Sequence, residues 1–383
     1  MPKPEEQAID MQFMERYQVR TDLALEAHEV IVEREGPPEI AGVVVENEET
    51  PFAKISRVSI RSDEGAQLMG KMKGNYVTLE SEALRNRNKE AQEEVSQTFA
   101  KELSAFLQLK GLPENASVLL IGLGNWNATP DAVGPKVVEQ VLVTRHLYEL
   151  SPPELRGGLR PLSAIAPGVL GLTGIETGEI VQGIVDKIGP QCVICVDALA
   201  SRSTTRVCST IQIADTGIHP GSGVGNKRMA ITQEALGVPV IAIGVPTVVN
   251  AVTIASDAME LLAQEMGFRP RVGLDQPPQA PVAAKLDPRK INVRMGSNDS
   301  AGQADGNSQS EPRYDAFGLP VDPQQKRYLI GRLLQPYMGS MIVTPKDIDA
   351  LIADVSSVVA GGINAALHPA IDLTDILNYL AAH

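Results

Sequence analysis

The sequence predicts an α/β fold in which a central twisted, mostly parallel sheet is flanked by helices, with a smaller β-rich subregion. Three observations carry that expectation. Aromatic residues are 4% of the chain while Val, Ile, Leu and Ala abound, which suits a sheet covered by helices better than an aromatic-rich sandwich. Apolar runs of strand length recur at 116–121 (ASVLLI), 192–196 (CVICV) and 238–243 (VPVIAI), each leading into small or polar residues. An amphipathic helix precedes the first of these runs, the helix-then-buried-strand order of α/β domains. With 383 residues, 43% of them hydrophobic and 21% charged, the chain can bury a sizeable core.

Residues 1–22 are polar and without clear periodicity, which predicts a detachable arm that runs into the segment YQVRTDLALE (17–26). The main α/β domain is expected over 23–275. Near 40–80, GVVVENEE and ISRVSIRS alternate β-branched with polar residues, as short strands at a sheet margin do. Between residues 89 and 110, Val95, Phe99, Leu103, Phe106 and Leu107 recur at steps of three and four, marking one apolar helix face. Gly111 and Pro113 stop that helix. Residues 276–320 become proline-rich and then low-complexity, including SNDSAGQADGNSQSEP, and too little apolar surface predicts a flexible insertion or linker. Over 321–383 a helical segment packs back on the main domain. In it Thr344 is the expected N-cap, Pro345 the first helical residue, and Ile348, Leu351, Ile352, Val355 and Val359 the buried face.

The formal net charge of -13 opposes binding to phosphate backbones. The N-terminus lacks a basic stretch followed by an apolar one, and no run of about 18 apolar residues suggests a membrane span. A cytoplasmic protein that binds neither nucleic acid nor membrane is expected. Cys192, Cys195 and Cys208 cannot all pair within one chain, which fits a reducing compartment. Cys192 and Cys195 lie three apart on a predicted strand, so their sulfurs point to opposite faces and a shared metal or redox role is disfavoured.

Chemistry in open α/β sheets gathers beyond the carboxyl ends of the strands, so three stretches matter: GLGNWNATPDAVGP, DALASRSTT and GVPTVVNAVTIASD. The first is not a dinucleotide loop, because Asn127 stands where a third glycine belongs and Pro130–Asp131 does not open a phosphate-binding helix. Asp131 ends that loop. Asp197 follows CVICV, and alone it reads equally well as a helix N-cap or a partner for Arg202. Together, Asp131 and Asp197 follow strands of one sheet and can converge. Two close carboxylates split into one protonated acid and one carboxylate, the pair that activates water and polarises an amide carbonyl. The glycine-rich stretch IQIADTGIHPGSGVGNKR (211–228) holds Asp215, His219, Ser222, Lys227 and Arg228. His219 could complete a metal site with Asp131 and Asp197, although no HExxH spacing supports it. Ser222 lacks the GxSxG context of a hydrolase nucleophile. The other histidines, His368 among them, show no partner spacing.

Taken together, YQVRTDLALE, LLIGLGNWNATPDAVGP, TRHLYEL, SAIAPGVLGLTGIETGEI, VDALASR, DTGIHPGSGVGNKR and GVPVIAIGVPTVVNAVTIASD resemble the germination proteases of spore-forming bacteria. The resemblance covers most of the chain. It implies an endopeptidase that begins digestion of small acid-soluble spore proteins during germination, inside the spore. It implies an atypical aspartic mechanism whose acids fall on Asp131 and Asp197, with no cofactor, and a fold similar to hydrogenase maturation peptidases. Equivalent positions there bind a metal, which keeps open a divalent-metal alternative using Asp131, Asp197 and His219. It further implies a homotetrameric zymogen that trims its own N-terminus. Substrates in the family are cut after an acid in a Thr/Ser-Glu step followed by an apolar residue, Ala and a second acid. The run Thr21, Asp22, Leu23, Ala24, Leu25, Glu26 reproduces that order with Asp for Glu, which predicts self-cleavage between Asp22 and Leu23. Motif membership makes His219, Ser222 and Lys227 candidates for supporting substrate. Asn250 departs from the family pattern where an acid is expected. A noncatalytic module that binds spore proteins is the alternative from another class.

Overall fold

Strands buried on both faces set the centre of the molecule. The computed structural model describes residues 21–35, 40–150, 159–218, 229–265, 330 and 341–369. In chain order it forms helix α1 (Ala24–Glu35), strands β1 (Val43–Glu49) and β2 (Lys54–Ile60), helix α2 (Asp63–Met69), strand β3 (Gly74–Glu80) and the long helix α3 (Lys89–Leu109). Strand β4 (Val118–Gly122), helices α4 (Val133–Gln140) and α5 (Arg145–Leu150), strand β5 (Leu162–Ile165), helix α6 (Thr177–Ile188) and strand β6 (Cys192–Ser201) follow. Then come β7 (Thr210–Ala214), β8 (Val240–Asn250), α7 (Ala251–Glu265), β9 (Ile342–Val343) and α8 (Ile348–Leu367).

The strands form one sheet in the order β1-β2-β3-β7-β8-β6-β4-β5, with β9 pairing β8. The run β8-β6-β4-β5 is parallel throughout, and every residue of β4 is buried, as a strand covered on both faces requires. From β8 outwards through β7, β3, β2 and β1 the pairing is antiparallel. The β-rich subregion therefore continues the α/β sheet rather than standing apart from it.

Alternation along the strands divides the core. On one face, α3, α4 and α8 cover Leu120, Ile194 and Ile243 with Phe99, Leu103, Val133, Val355 and Val359. On the other, Val181 and Val185 of α6 cover Leu119, Ile121, Val193 and Cys195, while α1 places Ala24 and Ala27 over Val58, Ile60, Tyr76 and Ala214. Helices α3 and α8 approach closely because Gly362 has no side chain: a Cβ there would lie 2.3 Å from Phe99 Cδ1. Helix α8 is long and apolar enough to cross a membrane by length and composition, yet Ile352, Val355, Val359 and Ile363 have no exposed surface, so its apolarity serves this core.

Two expectations are corrected. Strands β6 and β8 do not stop at Val196 and Ile243 but run on, paired to each other as far as Ser201 and Val249. Small and polar residues are tolerated there because each strand's backbone groups are satisfied by the other. Helix α8 starts at Ile348 rather than at Pro345. Thr344 is no N-cap, since its hydroxyl donates to Thr247 O at 2.9 Å and ties the segment to β8. The low-complexity tract expected over 276–320 lies outside the described residues.

One buried polar clamp joins the end of α8 to the strands. His368 has no exposed surface, its Nδ1 accepts from Arg160 N at 3.3 Å, and its Nε2 donates to Leu142 O at 3.2 Å. That tautomer is neutral, and burial pushes the ring's pKa down to about 4 from an ordinary 6.5. Between these values the unfolded chain takes up a proton that the folded one refuses, so stability falls as pH drops through that window. Urea unfolding of His368→Gln across pH 4 to 7 is expected to give a visibly flatter dependence on pH than the native chain between about 6.5 and about 4.

Candidate active site

The loop after β4 is built around glycines that admit close backbone contact. A Cβ on Gly122 would sit 2.3 Å from Gly134 O, and one on Gly134 would sit 2.3 Å from Leu123 O and 2.5 Å from Val196 O. The first turn of α4 is thereby pressed onto the ends of β4 and β6. Gly124 has φ +117, and a Cβ there would lie 2.0 Å from Asp131 O. Asn125 N donates to Asp131 O at 3.0 Å, and Asp131 N donates to Ala128 O at 2.7 Å. The loop is closed on itself and delivers Asp131, half-buried, in a single 3-10 turn (Thr129–Asp131) that packs against β6 and β8.

Asp197 lies within β6 rather than after it, which removes the helix N-cap reading. Gly122, the last residue of β4, pairs with Val196, so Asp197 is the first β6 residue beyond the end of β4. It is half-buried, and its Oδ1 accepts from Ala198 N at 2.9 Å. Across the sheet Asp197 pairs with Gly244 of β8, and Gly244 pairs with Gln212 of β7. Paired neighbours project to one face, so Asp197 and Gln212 flank a glycine in a single row. A Cβ on Gly244 would lie 2.3 Å from Leu199 Cδ1, so glycine is what lets Leu199 fold over that row.

The N-terminal segment docks against this end of the sheet. Asp22 N donates to Ala200 O at 3.1 Å, and Asp22 Oδ2 accepts from Ala200 N at 2.8 Å. Leu23 and Ala24 are fully buried. Gln212 Nε2 donates to Asp22 O at 3.3 Å, and Gln212 Oε1 accepts from Ala24 N at 2.7 Å. Glu26, 1% exposed, accepts from Arg202 N at 2.6 Å, Ser203 N at 3.0 Å and the Thr21 hydroxyl, and pairs with Arg206 at 3.4 Å. Arg206 also holds Glu29 at 2.6 Å and Glu80 at 2.5 Å. Burial opposes its charge, but Glu29 and Glu80 outweigh that and hold its pKa above the ordinary value. Lys71 Nζ donates to Thr21 O at 2.8 Å; burial holds its pKa below the ordinary lysine value against the opposing pull of Asp22 and Glu26.

Sequence reading picked out Asp22, Leu23, Asp131 and Asp197; Asp197 lies on β6, the turn that carries Asp131 packs against β6 and β8, and Asp22 bonds to Ala200 of β6. It did not find Gln212, Lys71 or Arg206. The available signal for Gln212 was one amide within the buried strand TIQIA. His219, Ser222 and Lys227 lie outside the described residues. Asp215, in the same stretch, is structural: it accepts from Asn75 N at 2.7 Å and pairs with Lys110 at 3.2 Å. Among the described residues no group of three or more His, Cys, Asp or Glu side chains is placed to hold a metal. Cys192 joins the core on the α3 face and Cys195 the core under α6, so the two sulfurs diverge. All three thiols are free and buried, and burial pushes Cys192 and Cys208 up to about 12.

An α/β sheet that carries Asp197 on β6, holds the Asp131 turn against β6 and β8, and seats the Asp22 bend on Ala200 has the groups an acid-dependent peptidase uses. The chain belongs to the germination protease family, whose model matches residues 24–380. The germination protease of Priestia megaterium is 46% identical over 363 residues, covering 94% of this chain and 96% of that one. That of Bacillus cereus is 46% identical over 361 residues with the same coverage. Among solved structures, a NiFe hydrogenase maturation protease from Thermococcus kodakarensis aligns with 34% of this chain and 74% of its own, at 21% identity and TM-score 0.22.

Gly124→Ala places a methyl group against Asp131 O and strains a positive φ, displacing the Asp131 loop. Peptidase activity measured on a casein or spore-protein substrate is expected to fall at least about tenfold, in line with the cost of misplacing a reacting group by an ångström, while circular dichroism retains the α/β signature.

Proposed function

We propose that this chain is an endopeptidase that opens small acid-soluble spore proteins during germination, using Asp131 and Asp197 as its acid pair. It works in the spore interior as a homotetramer, after cutting itself between Asp22 and Leu23. The observation that carries this reading is the seat of that peptide. Asp22 is bonded to Ala200, three residues along β6 from Asp197, a separation of about 10 Å along a strand.

The chemistry follows from the acids. Two neighbouring carboxylates resist double ionisation, so at working pH one is protonated and one is not. The carboxylate takes a proton from water as the water oxygen attacks the carbonyl carbon. The protonated acid supports the carbonyl oxygen, and the leaving amine collects a proton as the C–N bond breaks. The pair's titration belongs to both acids together. This route needs no cofactor. A metal-assisted route through Asp131, Asp197 and His219 differs in one respect that can be measured: it stops when the metal is chelated. A binding module without catalysis would cut neither itself nor a spore protein.

Incubating the full chain at mildly acidic pH and following intact mass is expected to show loss of residues 1–22 regardless of chelator. Asp131→Asn and Asp197→Asn are each expected to slow that loss by about 10²- to 10⁴-fold, the usual worth of a general acid or base. Loss of cleavage on chelation would shift the mechanism to the metal route, and undiminished cleavage in both variants would displace the acids from catalysis.

A further inference from the structure

We propose that Gln212 grips the peptide bond that the chain cuts in itself, presenting the Asp22 carbonyl for attack; this rests on the self-cleavage reading above. A carboxamide in a strand interior is costly unless both its ends are bonded. Gln212 is 7% exposed in the middle of β7. The two partners of its side chain flank Leu23: Nε2 donates to Asp22 O, the carbonyl of the Asp22–Leu23 bond, at 3.3 Å, and Oε1 accepts from Ala24 N, in the next peptide unit, at 2.7 Å. Both contacts are to backbone, so the grip fixes the position of the bond without reading the side chains that flank it.

Register places this grip opposite an acid. Gln212 and Asp197 each pair with Gly244, from opposite sides, so their backbones are about two strand spacings, roughly 9.6 Å, apart. Both side chains project to the same face, and the residue between them is a glycine. Asp22 bridges the interval, bonded to Ala200 of the Asp197 strand as well as to Gln212. In hydrolysis the water oxygen joins the Asp22 carbonyl carbon, charge builds on the oxygen that Gln212 Nε2 already faces, and the bond to Leu23 nitrogen breaks. Asp22 then carries a new carboxylate, and Leu23 a new amino group that has taken up a proton. A fixed donor on that oxygen bonds more strongly as charge develops. A purely structural amide would use the same two contacts, so the pH dependence of cleavage is what separates the roles.

Gln212→Glu separates the two roles, because the carboxylate still accepts from Ala24 N but cannot donate to Asp22 O until it is protonated. Release of residues 1–22 would be followed by intact mass from pH 4 to 8 in the native full-length chain and in Gln212→Glu, with thermal unfolding of both and cleavage of an added spore protein by the native chain. The expected result is a slowing of about 10²- to 10³-fold near neutral pH, the usual worth of one oxyanion donor. That deficit relative to the native chain should shrink towards pH 4. Equal rates at every pH would overturn the role of Gln212 and leave the peptidase reading intact. A deficit that stays constant with pH and tracks a lowered melting temperature would overturn it as well, assigning Gln212 to the packing of α1. A native chain that neither releases residues 1–22 nor cuts the added protein would overturn both readings.

Discussion

The continuation of β6 and β8 past the end of β4 is the constraint on which the rest of the site depends. The two strands stay paired from Val193 and Val240 to Ser201 and Val249, with one register shift at Leu199 and Ala200. Because β4 stops at Gly122, the chain must turn there, and the close contacts of Gly122, Gly124 and Gly134 fold that turn back over β6. Asp131 comes to the sheet by this folding, and Asp197 is already on it. The same protruding pair gives the N-terminal segment its bonding partners at Ala200, Arg202 and Ser203.

A second group of interactions makes that docking firm. Glu26, Glu29 and Glu80 share the Arg206 guanidinium, while backbone N–H groups take up the remaining capacity of Glu26. A buried carboxylate survives when it is both paired and hydrogen-bonded, and Glu26 is both. The network ties α1 to β3 and to the β6–β7 connection, three parts of the chain distant in sequence, so the beginning of the polypeptide is integral to the sheet from Asp22 onwards.

Much of the fold was legible because its signals are local. The apolar runs of β4, β6 and β8, the three-four spacing of α3 and the alternation of β1 and β2 each follow from neighbours within a few residues. The GLGNWNATPD loop stood out for the same reason, since its glycines and proline have no place inside a helix or strand. Strand ends were less legible. ALAS in β6 and PTVV in β8 look like turn and loop chemistry alone, and only their mutual pairing makes them strand. Thr344 carried a valid capping signal that a bond to Thr247, 97 residues away in sequence, redirected. Gln212 was invisible because its partner Asp22 is 190 residues distant, and no local pattern marks one amide among isoleucines as a grip on a backbone.

The burial of Leu23 and Ala24, neither of which exposes any surface, decides where a shortened chain begins. A protease from another source must draw several residues into an extended form before it can cut, and local unfolding of packed side chains is costly. Trimming from the N-terminus by such a protease therefore stalls where Leu23 enters the core. The packing of Leu23 and Ala24 sets where such trimming ends.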